Sequence, residues 1–289
     1  MTAGHETKAR SDSAKASQQA PAPLPRDAQP LREAYRDGVA VLTLDRPNQR
    51  NSLSEGLIGA LRAAIDRCSR DVGVKAVVLA ATGAAFSAGH DLKELTAHRS
   101  DPDGGRAYYA HMMDICAAMM LAIVRSPKPF IAAVEGVATA AGCQLVATCD
   151  LATAGLAARF ATPGVNIGLF CSTPMVALSR NVPRKRAMEM LLLGDMLSAD
   201  EAAVYGLVNR VVPEGTALDV ALAMARLIAT KSPATIAVGK ETFYRQLEAP
   251  LADAYRQAAR VMVENMLYAD ACEGISAFID KRDPQWTGR

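Results

Sequence analysis

Two short apolar runs constrain this 289-residue chain more than any other feature. Ala76-Val77-Val78-Leu79 and Phe130-Ile131-Ala132-Ala133-Val134 are hydrophobic at every position rather than at every second one. A strand with one wet face alternates, whereas a strand without alternation is covered on both faces. Val39 to Leu44 reads as a further strand, ended by the turn Asp45-Arg46-Pro47-Asn48. Between these strands lie stretches with apolar residues three or four apart. Ser54 to Arg70, for example, carries Leu57, Leu61, Ile65 and Cys68 behind a serine suited to start a helix. Strand, helix and strand in that order predict an α/β fold with crossover connections.

Beyond about Val182 the strand signals nearly stop. Pro183 to Leu193, Ser198 to Tyr205, Leu218 to Lys231, Pro233 to Leu247 and Leu251 to Leu267 each show helical spacing, and Cys272 to Phe278 follows as a last segment. At the other end, Met1 to Pro23 contains no Leu, Ile, Val or Phe. Such a segment cannot bury enough apolar surface to offset its ordering entropy, so residues 1–33 are expected to form a disordered extension. A mitochondrial transit peptide is the alternative. Lys8, Arg10 and Lys15 suit it, while Glu6, Asp12 and the missing apolar face do not.

Composition removes several function classes. The net charge is only +2, and no basic cluster interleaved with aromatics suggests nucleic acid. No uninterrupted apolar run approaches the roughly 20 residues of a membrane span. The six cysteines are scattered singly and histidine is scarce, which speaks against a metal site and against a disulfide framework. The thiols are expected to be reduced and mostly in the core, in a reducing compartment such as the cytoplasm.

Chemistry is expected in two loops that place glycine and small residues directly after buried strands. One is Phe86-Ser87-Ala88-Gly89-His90-Asp91-Leu92-Lys93-Glu94-Leu95, and the other runs from Val134 through Ala140-Ala141-Gly142-Cys143-Gln144 to Asp150. Small side chains let a ligand approach the backbone, and free N–H groups at such turns can hold an oxyanion or a polarised carbonyl. Glycines that merely permit tight turns explain the same spacing equally well.

Taken together, five stretches in order resemble the crotonase (enoyl-CoA hydratase/isomerase) superfamily over roughly Ala34 to Arg289. They are Leu44 to Leu53, the Phe86 to Leu95 loop, Pro127 to Gly136, Ala140 to Asp150, and Ser198 to Ala202 with Gly206 to Val212. The resemblance implies a spiral of ββα units over residues 34–210 and a helical C-terminal trimerisation region over 211–289. It implies a homotrimer or hexamer, an acyl-CoA thioester as ligand, and no cofactor beyond the coenzyme A of the substrate. By motif, the backbone N–H groups of His90 and Ala141 would form the oxyanion hole. Ala88, Asp91, Leu92, Lys93, Gln49 and Arg50 would line the coenzyme A side. The His90 ring could move protons or could be incidental.

The chain departs from the hydratase pattern where proton transfer is done. Hydration needs two poised carboxyl groups. The two glutamate positions are here Gln144 and Gly164. An amide can hold water but cannot take its proton at neutral pH. Glu135 and Asp150 are better explained by turn capping and strand-end solvation, and Cys171 and Ser172 have no histidine nearby in sequence. The expectation is an acyl-CoA-binding protein of fatty-acid or acyl-CoA metabolism with weak or absent hydratase activity. The alternatives are a lyase, hydratase or other acyl-CoA enzyme with a non-standard base, and a non-enzymatic assembly or RNA-associated protein.

Overall fold

The computed structural model describes residues 1–2 and 29–289, so the expectation for residues 3–28 lies outside the described residues. The first strand, β1 (Leu31–Arg36), begins inside the stretch expected to stand apart. It pairs antiparallel with β2 (Val39–Leu44), from Leu31 opposite Leu44 to Arg36 opposite Val39. Asp37 and Gly38 join them with φ of 52° and 76°. Two successive positive φ values make the hairpin turn that Asp-Gly favours.

From there successive strands feed two sheets in turn. β3 (Ala76–Ala81), β5 (Phe130–Val134), β7 (Leu151–Gly155) and β10 (Arg210–Val212) extend the first sheet to the order β1-β2-β3-β5-β7-β10. β4 (Ala85–Ser87), β6 (Val137–Thr139), β8 (Arg159–Ala161) and β9 (Leu197–Ser198) form the second, in the order β4-β6-β8-β9. The pairs β3/β4, β5/β6 and β7/β8 are each followed by helix, which is a ββα spiral. Apart from β1/β2 and β8/β9 the pairings are parallel.

The helices close the core. α1 (Glu55–Arg70) is capped by the Ser54 hydroxyl, which accepts from the Leu57 N–H, and buries Leu57, Ile58, Leu61, Ala64, Ile65 and Cys68. α2 (Leu92–Ala97) is followed by α3 (Arg106–Arg125). α3 is long and apolar enough to cross a membrane by length and composition, which the uninterrupted-run criterion missed. His111 and Asp114 interrupt its sequence, and its Met112, Cys116, Met119, Met120 and Ile123 are buried in the main core, where α3 packs on α1. α4 (Ala141–Thr148) is buried at every residue. α5 (Pro174–Asn181), α6 (Arg184–Leu193) and α7 (Ala199–Val204) follow.

The C-terminal helices divide where the sequence did not suggest. α8 (Ala217–Ala229) covers the back of the first sheet, burying Ala221 and Ala225 against Val39, Ala76, Val78, Ile131 and Ala133. α9 (Pro233–Leu247), α10 (Leu251–Met266) and α11 (Ala269–Asp280) carry many exposed large apolar side chains, among them Phe243, Leu247, Leu251, Tyr255, Met262 and Met266.

Candidate functional site

The first loop is fixed from below by Asn51, fully buried and with φ of 51°. Its amide nitrogen donates to the carbonyls of Thr82 and Ala85 at 2.8 and 2.7 Å, and its Oδ1 accepts from the Arg46 N–H. Ser87 Oγ donates to the Asn51 carbonyl at 2.9 Å, and the Ala88 N–H donates to that of Arg50 at 3.0 Å. A one-residue bridge, Leu53 N–H to the Gly89 carbonyl and Asp91 N–H to the Leu53 carbonyl, completes the lock. Exposed Gln49 and Arg50 are thereby held beside Ala88. Asn51 itself was missed in the sequence. Its only signal is that asparagine tolerates the left-handed conformation.

The two loops meet at Gly89, which has φ of 86°. A Cβ on it would stand 2.9 Å from the Ala140 Cβ and 3.2 Å from the Ala141 nitrogen. Gly142 packs directly on the Ser87 carbonyl, so both glycines serve close approach of the loops. Ala140, at φ 50° and ψ −120°, turns the chain into α4 in a conformation that strains any residue but glycine. Among the described residues, the N–H groups of His90 and Ala141 donate to no protein acceptor. The Ala141 N–H is the first of α4, where the helix dipole is positive.

The side chains sort into fixed and unpartnered ones. Asp91 caps α2 through the Lys93 and Glu94 N–H groups and accepts from Ser52 Oγ and Arg46. Burial would raise its carboxyl, but the Ser52 and Glu94 N–H bonds and the nearby Arg46 charge hold it below its ordinary value. Asp91 therefore fixes the loop, while Leu92 and Lys93 are exposed. Glu94 accepts from the Glu55 N–H. Glu135 accepts from the Ala217 N–H and so caps α8. Asp150 corrects an expectation, because it is not solvated at a strand end. It accepts from Lys240 Nζ at 2.7 Å, Tyr244 OH at 2.9 Å and the Phe130 N–H at 2.7 Å, tying α9 to the end of α4. Cys171 is buried and its thiol is pushed up by burial, and Ser172 Oγ donates to the Phe170 carbonyl.

Four buried side-chain polar atoms lack a partner among the described residues: His90 Nε2, Gln144 Oε1, Thr162 Oγ1 and Asn265 Nδ2. The first three lie on the segments that meet around Gly89 and Ala140. Gln144 is 6 % exposed and closes the first turn of α4, its N–H donating to the Ala140 carbonyl. Thr162 follows Ala161, whose carbonyl accepts from the Ala140 N–H at 2.9 Å. Burial alone pushes the His90 imidazole below its ordinary pKa. Gly164 is the second residue of the short turn Pro163–Ile167, and the Leu169 N–H returns to its carbonyl at 2.9 Å. A cleft of about 620 Å³ lies away from these loops, between the end of α3 and α9, with Arg125, Glu241 and Tyr244 in its walls.

A ββα spiral with two unpartnered N–H groups where its loops meet defines a class, and the chain belongs to the enoyl-CoA hydratase/isomerase family. That family's profile matches residues 34–289. Among individual proteins, the chain is 46 % identical over 252 residues to rat enoyl-CoA hydratase domain-containing protein 3, mitochondrial, covering 87 % of this chain and 82 % of that one. Two solved structures resemble it closely. An enoyl-CoA hydratase of Mycobacterium smegmatis shares 52 % identity at a TM-score of 0.84, over 89 % of this chain and 98 % of the other. Human enoyl-CoA hydratase domain-containing protein 3 shares 45 % at 0.85, over 89 % and 100 %.

Proposed function

We propose that this protein binds acyl-CoA thioesters between the two loops, with the His90 and Ala141 N–H groups polarising the thioester carbonyl, and that it hydrates enoyl thioesters weakly or not at all. The observation that carries this is the pair of N–H groups left without acceptors at the contact of Gly89 with Ala140 and Ala141. Preorganised donors of this kind stabilise developing negative charge on oxygen. Exposed Gln49, Arg50 and Lys93 flank the mouth and suit the phosphates and pantetheine of coenzyme A. Coenzyme A enters as part of the substrate and no further cofactor is required. Removing one positioned acid or base typically costs about 10²–10⁴-fold in rate, and neither Gln144 nor Gly164 supplies one. The role lies in fatty-acid or acyl-CoA metabolism.

Titration calorimetry with butyryl-CoA and crotonyl-CoA, alongside loss of the enoyl absorbance, tests the proposal. Saturable binding with hydration at or near the uncatalysed rate is expected. No binding of any CoA thioester, or efficient hydration, would sink it. One observation favours a second reading, an acyl-CoA enzyme with His90 as base: its Nε2 is buried, unpartnered and on a neutral ring. A product formed by the unmodified protein and lost in His90→Ala with binding intact would support it.

A homotrimer, with pairing into a hexamer, is the assembly we infer. The exposed apolar side chains of α9 and α10 are more than isolated surface hydrophobics and call for burial. Light scattering on the eluting protein checks it. The compartment is a reducing one, and the relatives named as mitochondrial favour the matrix over the cytoplasm. A fluorescent fusion distinguishes the two.

A further inference from the structure

Lys240 sets the distance between α9 and the core. Its ammonium, buried with a side chain 6 % exposed, donates to the Ile123 carbonyl at 2.9 Å, the Lys128 carbonyl at 2.8 Å and Asp150 Oδ2 at 2.7 Å. The two carbonyls bracket residues 124–127, the segment after α3 that forms one wall of the cleft of about 620 Å³. The facing wall is α9, where Ala234 and Ala237 present only methyl groups. An ammonium has three protons, and here three oxygens take them. Sinking α9 onto α3, or lifting it away, would leave buried charge unpaired. The cleft is therefore held open by the fold, and its volume falls within the roughly 300–1,000 Å³ of small-molecule sites.

Its walls carry one unspent cation on apolar ground. Val124, Pro127 and Val238 supply hydrocarbon. Arg245 is paired with Glu241 at 3.2 Å, and the Tyr244 hydroxyl is committed to Asp150 at 2.9 Å. Among the described residues no acceptor meets the Arg125 guanidinium. Its place in the last turn of α3 suits the helix dipole and leaves its planar fork of donors open to a carboxylate. A second cleft of about 290 Å³ adjoins across Arg125, Ser126 and Pro127, with Leu121 and Ala122 in its wall, so apolar surface continues beyond the guanidinium. We propose that the cleft between α3 and α9 binds a monocarboxylate with a hydrocarbon body, its head on Arg125 and its chain against Val124, Pro127 and Val238. Glu241 on the same wall disfavours a dianion such as a phosphate. The site is separate from the thioester loops. Tyr244 in its wall bonds Asp150 just past the end of α4, whereas Ala141 begins that helix, about 12 Å away along its axis.

Titration calorimetry of the full chain with sodium octanoate, octan-1-ol and inorganic phosphate tests this. Octanoate is expected to saturate a single site per chain, with octanol at least tenfold weaker for want of the charge-assisted bond, and phosphate not saturating. Arg125→Gln should weaken octanoate at least tenfold, and Ala237→Leu, which fills the cleft, should do the same. Excess butyryl-CoA should leave the octanoate titration unchanged. Absence of saturable octanoate binding, or octanol binding as tightly, would overturn the proposal with no variant needed. So would an octanoate affinity untouched by both substitutions. Displacement of octanoate by butyryl-CoA would place it in the thioester site and overturn the proposal as well.

Discussion

The carbonyl oxygen of Leu169 stands 2.6 Å from the place a Cβ on Gly164 would occupy, and the Cys171 sulfur 2.9 Å from it. The space beside Gly164 is therefore filled by the chain's own next turn. Gly164→Glu cannot enter without moving backbone, and overpacking of that kind costs about 1–3 kcal/mol. A fall of several degrees in Tm is expected, together with no hydratase activity in the Gln144→Glu/Gly164→Glu variant. Thermal melts and the enoyl absorbance assay decide it; an unchanged Tm would show that the turn yields freely.

Gly89 is required twice, by its φ of 86° and by the Ala140 Cβ 2.9 Å from where its own would lie. Gly89→Ala is expected to push the two loops apart and weaken butyryl-CoA binding at least tenfold. Ala140→Gly relieves a conformation that costs on the order of 1–3 kcal/mol in a residue other than glycine, less the added entropy of the unfolded chain. The double variant should recover part of the binding, because half of the clash is gone, and a double-mutant cycle measures that recovery.

Burial holds the His90 imidazole neutral below its ordinary pKa of 6.5. Its proton is thus bound by the unfolded chain before the folded one, so this residue contributes stability at and above pH 6.5 that is lost as pH falls toward its lower folded value. A ring resonance whose titration midpoint lies below 6.5, and a pH dependence of Tm that flattens in His90→Asn, are the expected results. A ring that titrates at or above 6.5 would contradict them.

Asp270 is buried and accepts from Ser232 Oγ, from the Thr287 N–H and hydroxyl, and from the Gly288 N–H. Burial would raise this carboxyl, but those donors hold it below its ordinary value. The associated stability is present above the usual carboxylate range and is lost as pH falls through the folded value. Deleting Thr287 to Arg289 leaves Ser232 as its only donor among the described residues and should cost about 1–3 kcal/mol. The truncated chain should also show a weaker dependence of Tm on pH in acid.

Five of the six cysteines are buried, and Cys272 is exposed. Burial pushes the Cys116 and Cys143 thiols up to about 12, away from the reactive thiolate. A thiol reagent should modify at most one cysteine per chain in the native protein and all six after denaturation. Fast modification of Cys171 would show that the Gly164 turn opens.

The sequence by itself determined the parts whose signal is local. The unbroken apolar runs at Ala76 and Phe130 became the central parallel strands, and Ser54 and the helical spacing after it became α1, because side-chain periodicity acts within a few residues. The Asp37-Gly38 hairpin was also there to be read and was passed over. The strands of the second sheet, two or three residues long, carry too little periodicity to register. What only the tertiary structure decided are relations between distant segments. Asp150 meets Lys240 across 90 residues, Thr162 arrives beside Ala140 through strand pairing, and Leu169 fills the space above Gly164. Each depends on how the two sheets close on one another, and that closure is a sum of many weak contacts which no short stretch of the chain encodes.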